Sequence, residues 1–351
     1  GIEKDVLEYM KNKKHEKVVF CSDESTNLKA IIAIHNTNLG PALGGTRMWP
    51  YNNISEATKD VLRLSRGMTY KAAITGLNLG GGKAVIIGDS QHKTKAMMKS
   101  FGKFVESQSG QYITAEDVGM TTDDMKIIYQ ETNHVVGKPI ELGGSGDPSV
   151  ITAYGTLMGM KGSAYYKWGD GSLKDKKVLV QGIGNVGRNL IKLLKNEGAN
   201  IFINDVNEQK VNDIVEKYKV QVVKQNIYNT DIDIYAPCAL GGTLNDQTIP
   251  QLKCAIVSGA ANNQLAKEYI HDDMLANRNI LYAPDFLINA GGLINVYSEL
   301  KGFTHSQVME KTSKIFDTTI EILKKAKAEN ISSQKAALKI AKNRVFKKHR
   351  A

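Results

Sequence analysis

Residues 178–187 read Val178-Leu179-Val180-Gln181-Gly182-Ile183-Gly184-Asn185-Val186-Gly187. The β-branched and apolar start predicts a buried strand, and the glycines a tight turn. Leu190, Leu193 and Leu194 then recur at helical spacing. Ile201-Phe202-Ile203-Asn204-Asp205 reads as a second strand, so the Gly-x-Gly-x-x-Gly lies inside a βαβ unit. That context turns a weak motif into a dinucleotide fingerprint. Gly182, Ile183, Gly184, Asn185, Val186 and Gly187 are the expected pyrophosphate cradle, because unpaired N–H groups and the dipole at a helix start favour an anion. Asp205 stands where an acidic residue accepts the ribose hydroxyls. Val206 and Asn207 follow it in place of Arg, which favours NAD over NADP.

Working toward the C-terminus, strands are expected at 233–236, 255–257 and 280–282, each ending in a loop of small residues. The alternation predicts a doubly wound parallel sheet of the Rossmann type. Asn262, in one of these loops, is suited either to a ribose or carboxamide or to an ordinary helix N-cap. Asn289-Ala290-Gly291-Gly292 opens a further helix on which Leu293 and Val296, three apart, share a face. Amphipathic helices are expected at 306–326 and 333–347.

Working toward the N-terminus, the turn formers of 141–148 read as a hinge, with a long helix from Thr152 beyond it. Before the hinge, Val18–Cys21 and Ala30–Ile34 read as strands, Gly40–Met48 as a glycine-rich loop carrying Leu43, and Ser55 as a helix N-cap. Lys71-Ala72-Ala73-Ile74-Thr75-Gly76-Leu77-Asn78-Leu79-Gly80-Gly81-Gly82-Lys83 sets two lysines at the ends of an apolar segment. Three successive glycines imply that the backbone passes close to something. One lysine can pair with a carboxylate, while the other, crowded and desolvated, becomes a general base. The alternative is a turn with two solvated lysines. A helix is expected over 93–108, then a strand from Tyr112 that breaks at Glu116-Asp117. Asp117 is either a catalytic group at a strand end or an ordinary loop carboxylate.

The chain has 351 residues, enough for two domains, and its 42% hydrophobic and 23% charged content is that of a globular protein. A net charge of +10 raises the possibility of a nucleic-acid partner, but no aromatic-rich basic strip or nucleic-acid fingerprint accompanies it. The basic run Lys342–Arg350 reads as a solvated helix terminus. Three cysteines without ligand spacing argue against disulfides or structural zinc and for a cytoplasmic protein. No metal is expected. No apolar run suits a membrane span, and the charged opening Gly1–Asp5 does not read as a signal peptide.

Taken together, Gly-Pro-Ala-Leu-Gly-Gly-Thr-Arg from Gly40, Met-Thr-Tyr-Lys-Ala-Ala from Met68, Gly-Gly-Gly-Lys from Gly80, Thr-Ala-Glu-Asp-Val-Gly from Thr114, Gly-Ile-Gly-Asn-Val-Gly, Gly-Ala-Ala-Asn-Asn and Asn-Ala-Gly-Gly resemble the glutamate/leucine/phenylalanine/valine dehydrogenase superfamily. The resemblance runs over nearly the whole chain. It implies an α/β protein of two domains with a cleft between them: a substrate and oligomerisation domain with a mixed sheet over 1–138, and the Rossmann-type NAD domain over 139–325. Residues 326–351 would return to the first domain or a subunit interface. It implies NAD-dependent oxidative deamination of L-leucine and other branched-chain aliphatic amino acids, and a homo-oligomer, an octamer. It further implies that Lys71 binds the substrate carboxylate, Lys83 activates water and Asp117 handles the amino proton. Leu43, Gly44, Ala115, Leu293 and Val296 would shape the pocket, and Thr152 and Asn262 would hold the nicotinamide end. An aromatic-selective relative is the alternative among enzymes, opposed by the narrowness that Leu43 and Ala115 imply. A non-catalytic NAD-binding regulatory protein is the alternative outside them.

Overall fold

The computed structural model describes residues 5–347, so Gly1–Lys4 and the end of the basic run lie outside the described residues. Contacts divide the chain into two units. One holds the chain through Gly146, Val296–Gly302 and the chain from Ala341 onward; the other holds Asp147–Asn295 and Phe303–Ile340. These limits differ from the sequence boundaries. Residues 326–340 stay with the second unit because Ser332 Oγ donates to Asp272 and Ser333 Oγ to the Tyr282 carbonyl.

The first unit is built on a mixed sheet in the order β1-β2-β4-β3-β5, formed by β1 (Lys17–Asp23), β2 (Leu28–Asn36), β3 (Ala42–Trp49), β4 (Gly80–Ile87) and β5 (Tyr112–Glu116). β1 and β4 flank β2 antiparallel, whereas β3 runs parallel to β4 and to β5. Alternate residues of β2 point to opposite faces. Ala30, Ile32 and Ile34 meet Met97, Met98, Phe101 and Val105 of α3 (Lys95–Glu106). Ile31 and Ala33 meet Ala57, Val61 and Leu62 of α2 (Ile54–Ile74). Both faces are therefore dry, and each fully buried aliphatic side chain contributes about 1.5–3 kcal/mol. α1 (Val6–Lys13) and α4 (Thr122–Tyr129) complete this part of the unit.

Two expectations change here. Gly40–Met48 is not a loop: β3 is a central buried strand, and its glycines are there because a Cβ on Gly44 would lie 1.5 Å from the Gly82 carbonyl oxygen. The N-cap of α2 is Asn53 rather than Ser55, with Asn53 Oδ1 accepting from Glu56 N at 2.8 Å. The helix then continues unbroken to Ile74, so Lys71 stands on its last turn.

The second unit has six parallel strands ordered β11-β10-β9-β6-β7-β8, from β6 (Lys177–Gln181), β7 (Asn200–Asn204), β8 (Gln221–Val222), β9 (Ile234–Pro237), β10 (Ile256–Val257) and β11 (Leu281–Tyr282). The order reverses between β6 and β9, which makes the end of β6 the topological switch point. α5 (Ser149–Trp168) starts three residues ahead of Thr152, and α6 (Asn185–Asn196) follows β6. α7 (Glu208–Lys217), α8 (Glu268–Asn277) and α9 (Asp285–Ile288) follow in turn. α10 (Gly291–Lys301) is divided between the units: Leu293, which is buried, belongs to the second and Val296, which is half-buried, to the first. The helix expected over 306–326 is two, α11 (His305–Ser313) and α12 (Ile315–Glu329), and α13 (Ser333–Phe346) ends the described chain.

Candidate active site

Strand register collects the first group of side chains. Leu43 of β3 lies opposite Gly81 of β4 and Ile113 of β5, and Gly45 lies opposite Ala115. Since registered residues share a face and alternate residues along a strand do too, Leu43, Arg47, Lys83 and Ala115 emerge on one side. Asp117 is two residues beyond Ala115, just past the end of β5. That side is the one α2 covers, because Val85 packs with Val61 and Leu62. The triple glycine allows this approach: a Cβ on Gly81 would stand 2.1 Å from the Thr69 nitrogen of α2. The close neighbour expected from the sequence is thus the protein's own helix, brought down onto β4 with Lys71 on its final turn.

The end of α2 is held from the far end of the chain. Arg344 of α13 donates to the Ala73 carbonyl at 3.0 Å and the Leu77 carbonyl at 2.9 Å, and to Asn78 Oδ1 at 3.1 Å. A guanidinium suits the negative end of a helix in both charge and geometry. Here it adds to the bond that the Ala73 carbonyl already accepts from Gly76 N, and it reaches Leu77 just past the helix end. The run Lys342–Arg350, expected to be wholly solvated, therefore contributes an anchor, with Val345 buried beside it.

Lys83 is 7% exposed, and its Nζ lies 3.1 Å from Asp117 Oδ2. The same oxygen accepts from Arg47 Nε at 3.0 Å. Arg47 continues to Asp60 of α2 at 3.3 Å, and Asp60 also accepts from Tyr51 and pairs with Arg63 at 3.0 Å. Burial pushes the Lys83 ammonium below its ordinary value; Asp117 opposes that shift and the like charge of Arg47 adds to it. For Asp117, burial would raise the carboxyl, but the two cations outweigh it and hold it below the usual carboxylate range. The arrangement is a carboxylate that stays charged beside a buried amine that gives up its proton more readily than a solvated lysine. Leu43 and Ala115 line the same face as buried apolar groups, and Gly44 supplies backbone whose carbonyl accepts from Tyr112 Oη at 2.7 Å.

In the second unit the glycines divide their work. Gly182 has φ +103°, the turn itself, and Gly187 lets α6 pack on the loop, since its Cβ would fall 1.9 Å from the Gly182 carbonyl oxygen. Gly184 is the N-cap of α6 without a side-chain cap, and a Cβ there would meet nothing within 4 Å. A ligand can therefore approach that backbone, and the helix start offers N–H groups to an anion. Ile183, Asn185 and Val186 complete the loop and the opening turn. Asp205 accepts from Ile183 N at 2.7 Å and from Asn207 N at 2.8 Å, which fixes its carboxylate beside the loop. These residues fit a dinucleotide. Thr152, in the first turn of α5, lies against Gly291, whose Cβ would be 2.4 Å from its nitrogen. Asn262 is not a helix N-cap: its Oδ1 accepts from Asn289 Nδ2 at 2.8 Å, and α8 is capped by Lys267.

Among the described residues no group of three His, Cys, Asp or Glu side chains could hold a metal ion, and no helix is long and apolar enough to cross a membrane. Sequence reasoning missed Arg47, Asp60 and Arg344. Only Arg47 had a signal, as the end of the motif that named Leu43 and Gly44.

Two family models match the chain: the dimerisation domain of Glu/Leu/Phe/Val dehydrogenases over residues 15–134, and the Glutamate/Leucine/Phenylalanine/Valine dehydrogenase domain over 143–207 and 201–351. A leucine dehydrogenase of Geobacillus stearothermophilus is 51% identical over 343 residues, covering 97% of this chain and 93% of that one. A valine dehydrogenase of Streptomyces virginiae is 50% identical over 336 residues, 94% of each. The crystal structure of L-tryptophan dehydrogenase from Nostoc punctiforme superposes with a TM-score of 0.90 at 44% identity, covering 97% of this chain and 98% of that one.

Proposed function

Because the chain belongs to the Glu/Leu/Phe/Val dehydrogenase family, we propose that it catalyses the reversible, NAD-dependent oxidative deamination of L-leucine and other branched-chain aliphatic L-amino acids. The products are a 2-oxo acid, ammonium, NADH and a proton. The observation that carries this reading is the buried Lys83 amine, 3.1 Å from a carboxylate and on the face that presents Leu43 and Ala115.

Lys71 takes the substrate carboxylate as a charged pair, which aligns the amino acid with its side chain toward Leu43 and Ala115, and the resemblance adds Leu293 and Val296 to the residues that select it. Asp117 receives the amino group: Oδ2 is taken up by Lys83 and Arg47, and Oδ1 accepts no hydrogen bond from the described residues. The residues that would hold NAD are Gly182–Gly187 and Asp205, with Thr152 and Asn262 toward the nicotinamide, and when bound it supplies the hydride acceptor. Once Cα is oxidised to a C=N carbon, Lys83 removes a proton from the water that adds to it. Asp117 takes a proton from the substrate ammonium before Cα is oxidised and returns it to the nitrogen as the C–N bond breaks. The hydroxyl proton released as C=O forms goes to Lys83, which has by then passed its first proton to solvent. Burial supports this role for Lys83, since a general base is most effective when its pKa is close to the working pH.

NAD is preferred to NADP in this reading because the Asp205 carboxylate would repel a 2′-phosphate, and no Arg follows it. An apolar pocket separates substrates by only ~1–3 kcal/mol per methylene, so leucine, isoleucine and valine all turn over. Three free cysteines, none in a disulfide, support a reducing cytosol. The assembly we infer is a homo-octamer, tested by light scattering. The decisive assay is NADH formation with leucine, isoleucine, valine, phenylalanine, tryptophan and glutamate, each with NAD and with NADP. Turnover of the branched aliphatic substrates with NAD supports the proposal. Preference for an aromatic substrate, as the similarity to a tryptophan dehydrogenase allows, would overturn the reading of Leu43 and Ala115.

A further inference from the structure

A cavity of about 670 Å³ lies in the first unit, where the end of α1 and the end of α13 meet the solvent side of α2. Its size is within the roughly 300–1,000 Å³ of small-molecule sites. Five cations line it, Lys13, Lys14, Arg66, Lys342 and Lys347, and no Asp or Glu among the described residues does. Lys13, Lys14, Arg66 and Lys347 form no ion pair with the described residues. Two of them face aromatic rings instead. The Arg66 guanidinium lies over the Tyr70 ring at 5.2 Å, and Lys14 Nζ over the Phe346 ring at 4.5 Å. Such stacking orients a cation without neutralising it. Arg66 Nε is also buried and has no hydrogen-bond partner, a condition that native structures tolerate when a ligand or ion completes the site.

We propose that this cavity binds a small polyanion bearing two or more phosphoryl groups, either an inorganic polyphosphate or a nucleoside polyphosphate. Terminal phosphoryl oxygens would accept from Arg66, including Nε, and from the lysines at the rim. The half-buried Phe346 ring is the surface on which a nucleobase would stack, since Tyr70 is buried beneath Arg66. The site is separate from the glycine loop of the second unit, and it stands whether or not the catalytic proposal does.

The test is calorimetric titration of the full chain with tripolyphosphate, and separately with ATP, in saturating NAD so that the glycine loop is occupied. One tripolyphosphate per chain should bind, and Arg66→Gln should weaken it by about ten-fold, as loss of a charge-assisted contact does. Raising the ionic strength should weaken it further. Lys217→Gln, on exposed α7, should leave it unchanged. Should Arg66→Gln not fold, Lys13→Gln with Lys14→Gln, both exposed at the end of α1, must produce the same loss. Tighter binding of ATP than of tripolyphosphate would assign a base to the Phe346 ring, and equal binding would assign phosphates alone; either supports the site. No binding in the presence of NAD, or binding indifferent to the cavity substitutions, would overturn it.

Discussion

Replacing Arg344 by Ala tests whether the last helix positions the substrate end of α2. The substitution leaves the Ala73 and Leu77 carbonyls, accepting at 3.0 and 2.9 Å, without the guanidinium, while the more exposed Asn78 contact contributes little. At about 1 kcal/mol for each lost charge-assisted bond in this half-buried setting, the first unit loses about 2 kcal/mol. For a unit of this size that is a fall in thermal midpoint of roughly 4–8 °C. Lys71 is three residues before Ile74, the end of the helix, so its ammonium is held less firmly. If Lys71 fixes the substrate carboxylate, KM for the amino acid rises by roughly five-fold while kcat changes by less than about two-fold, the mark of weakened binding in ground state and transition state alike. Scanning calorimetry and steady-state kinetics at saturating NAD measure both. A midpoint that falls with KM unchanged would refute the link between this anchor and the site. A midpoint that does not move would refute the anchor itself.

Other expectations concern the charge chain, the loop and the pocket. If Lys83 must be neutral, kcat/KM for deamination falls as pH drops through its depressed pKa. Asp117→Asn removes the group that favours the ammonium and moves that limb to lower pH, whereas Arg47→Gln removes a repelling charge and moves it to higher pH. pH profiles of the two variants should therefore shift in opposite directions, and a common direction would contradict the assignment. Gly184→Val, in open space, should fold with an unchanged midpoint yet bind NAD at least about ten-fold more weakly, whereas Gly187→Val, closed in by Gly182, should fail in folding first. Equal damage by both in a thermal scan would sink the distinction. Leu43→Ala removes a buried side chain, costs about 2–5 kcal/mol, and should raise kcat/KM for phenylalanine relative to leucine. An unchanged ratio would remove Leu43 from the pocket.

The second unit was the more legible because its signals are local. Strand, glycine turn and helix stand within about twenty residues, and Asp205 accepts from Ile183 N of that turn. Strand β3 was hidden for the opposite reason. Gly44 and Gly45 carry poor strand propensity, and only the carbonyl of Gly82 pressed against Gly44 explains why small residues belong in a central strand. Lys71, Lys83 and Asp117 could be named from motif and chemistry, but the cation beside Asp117 could not. Arg47 meets Asp117 across 70 residues of sequence, and no periodicity reports a contact of that range. Arg344 is farther still from its partners, and a basic terminal run looks the same whether it is solvated or caps another helix. The shift of the α2 cap from Ser55 to Asn53 was decided by Glu56, whose N–H Asn53 reaches at the customary three-residue spacing.

The central claim is that Lys83 is the base, and Lys83→Met tests it most directly when turnover and NAD binding are measured on the same preparation. Methionine keeps the buried, unbranched shape of the lysine without its amine. The account predicts that kcat for leucine falls by about 10²–10⁴-fold, the contribution of a positioned general base, with NAD affinity unchanged. Turnover retained within about ten-fold of wild type, with NAD still bound, would contradict it.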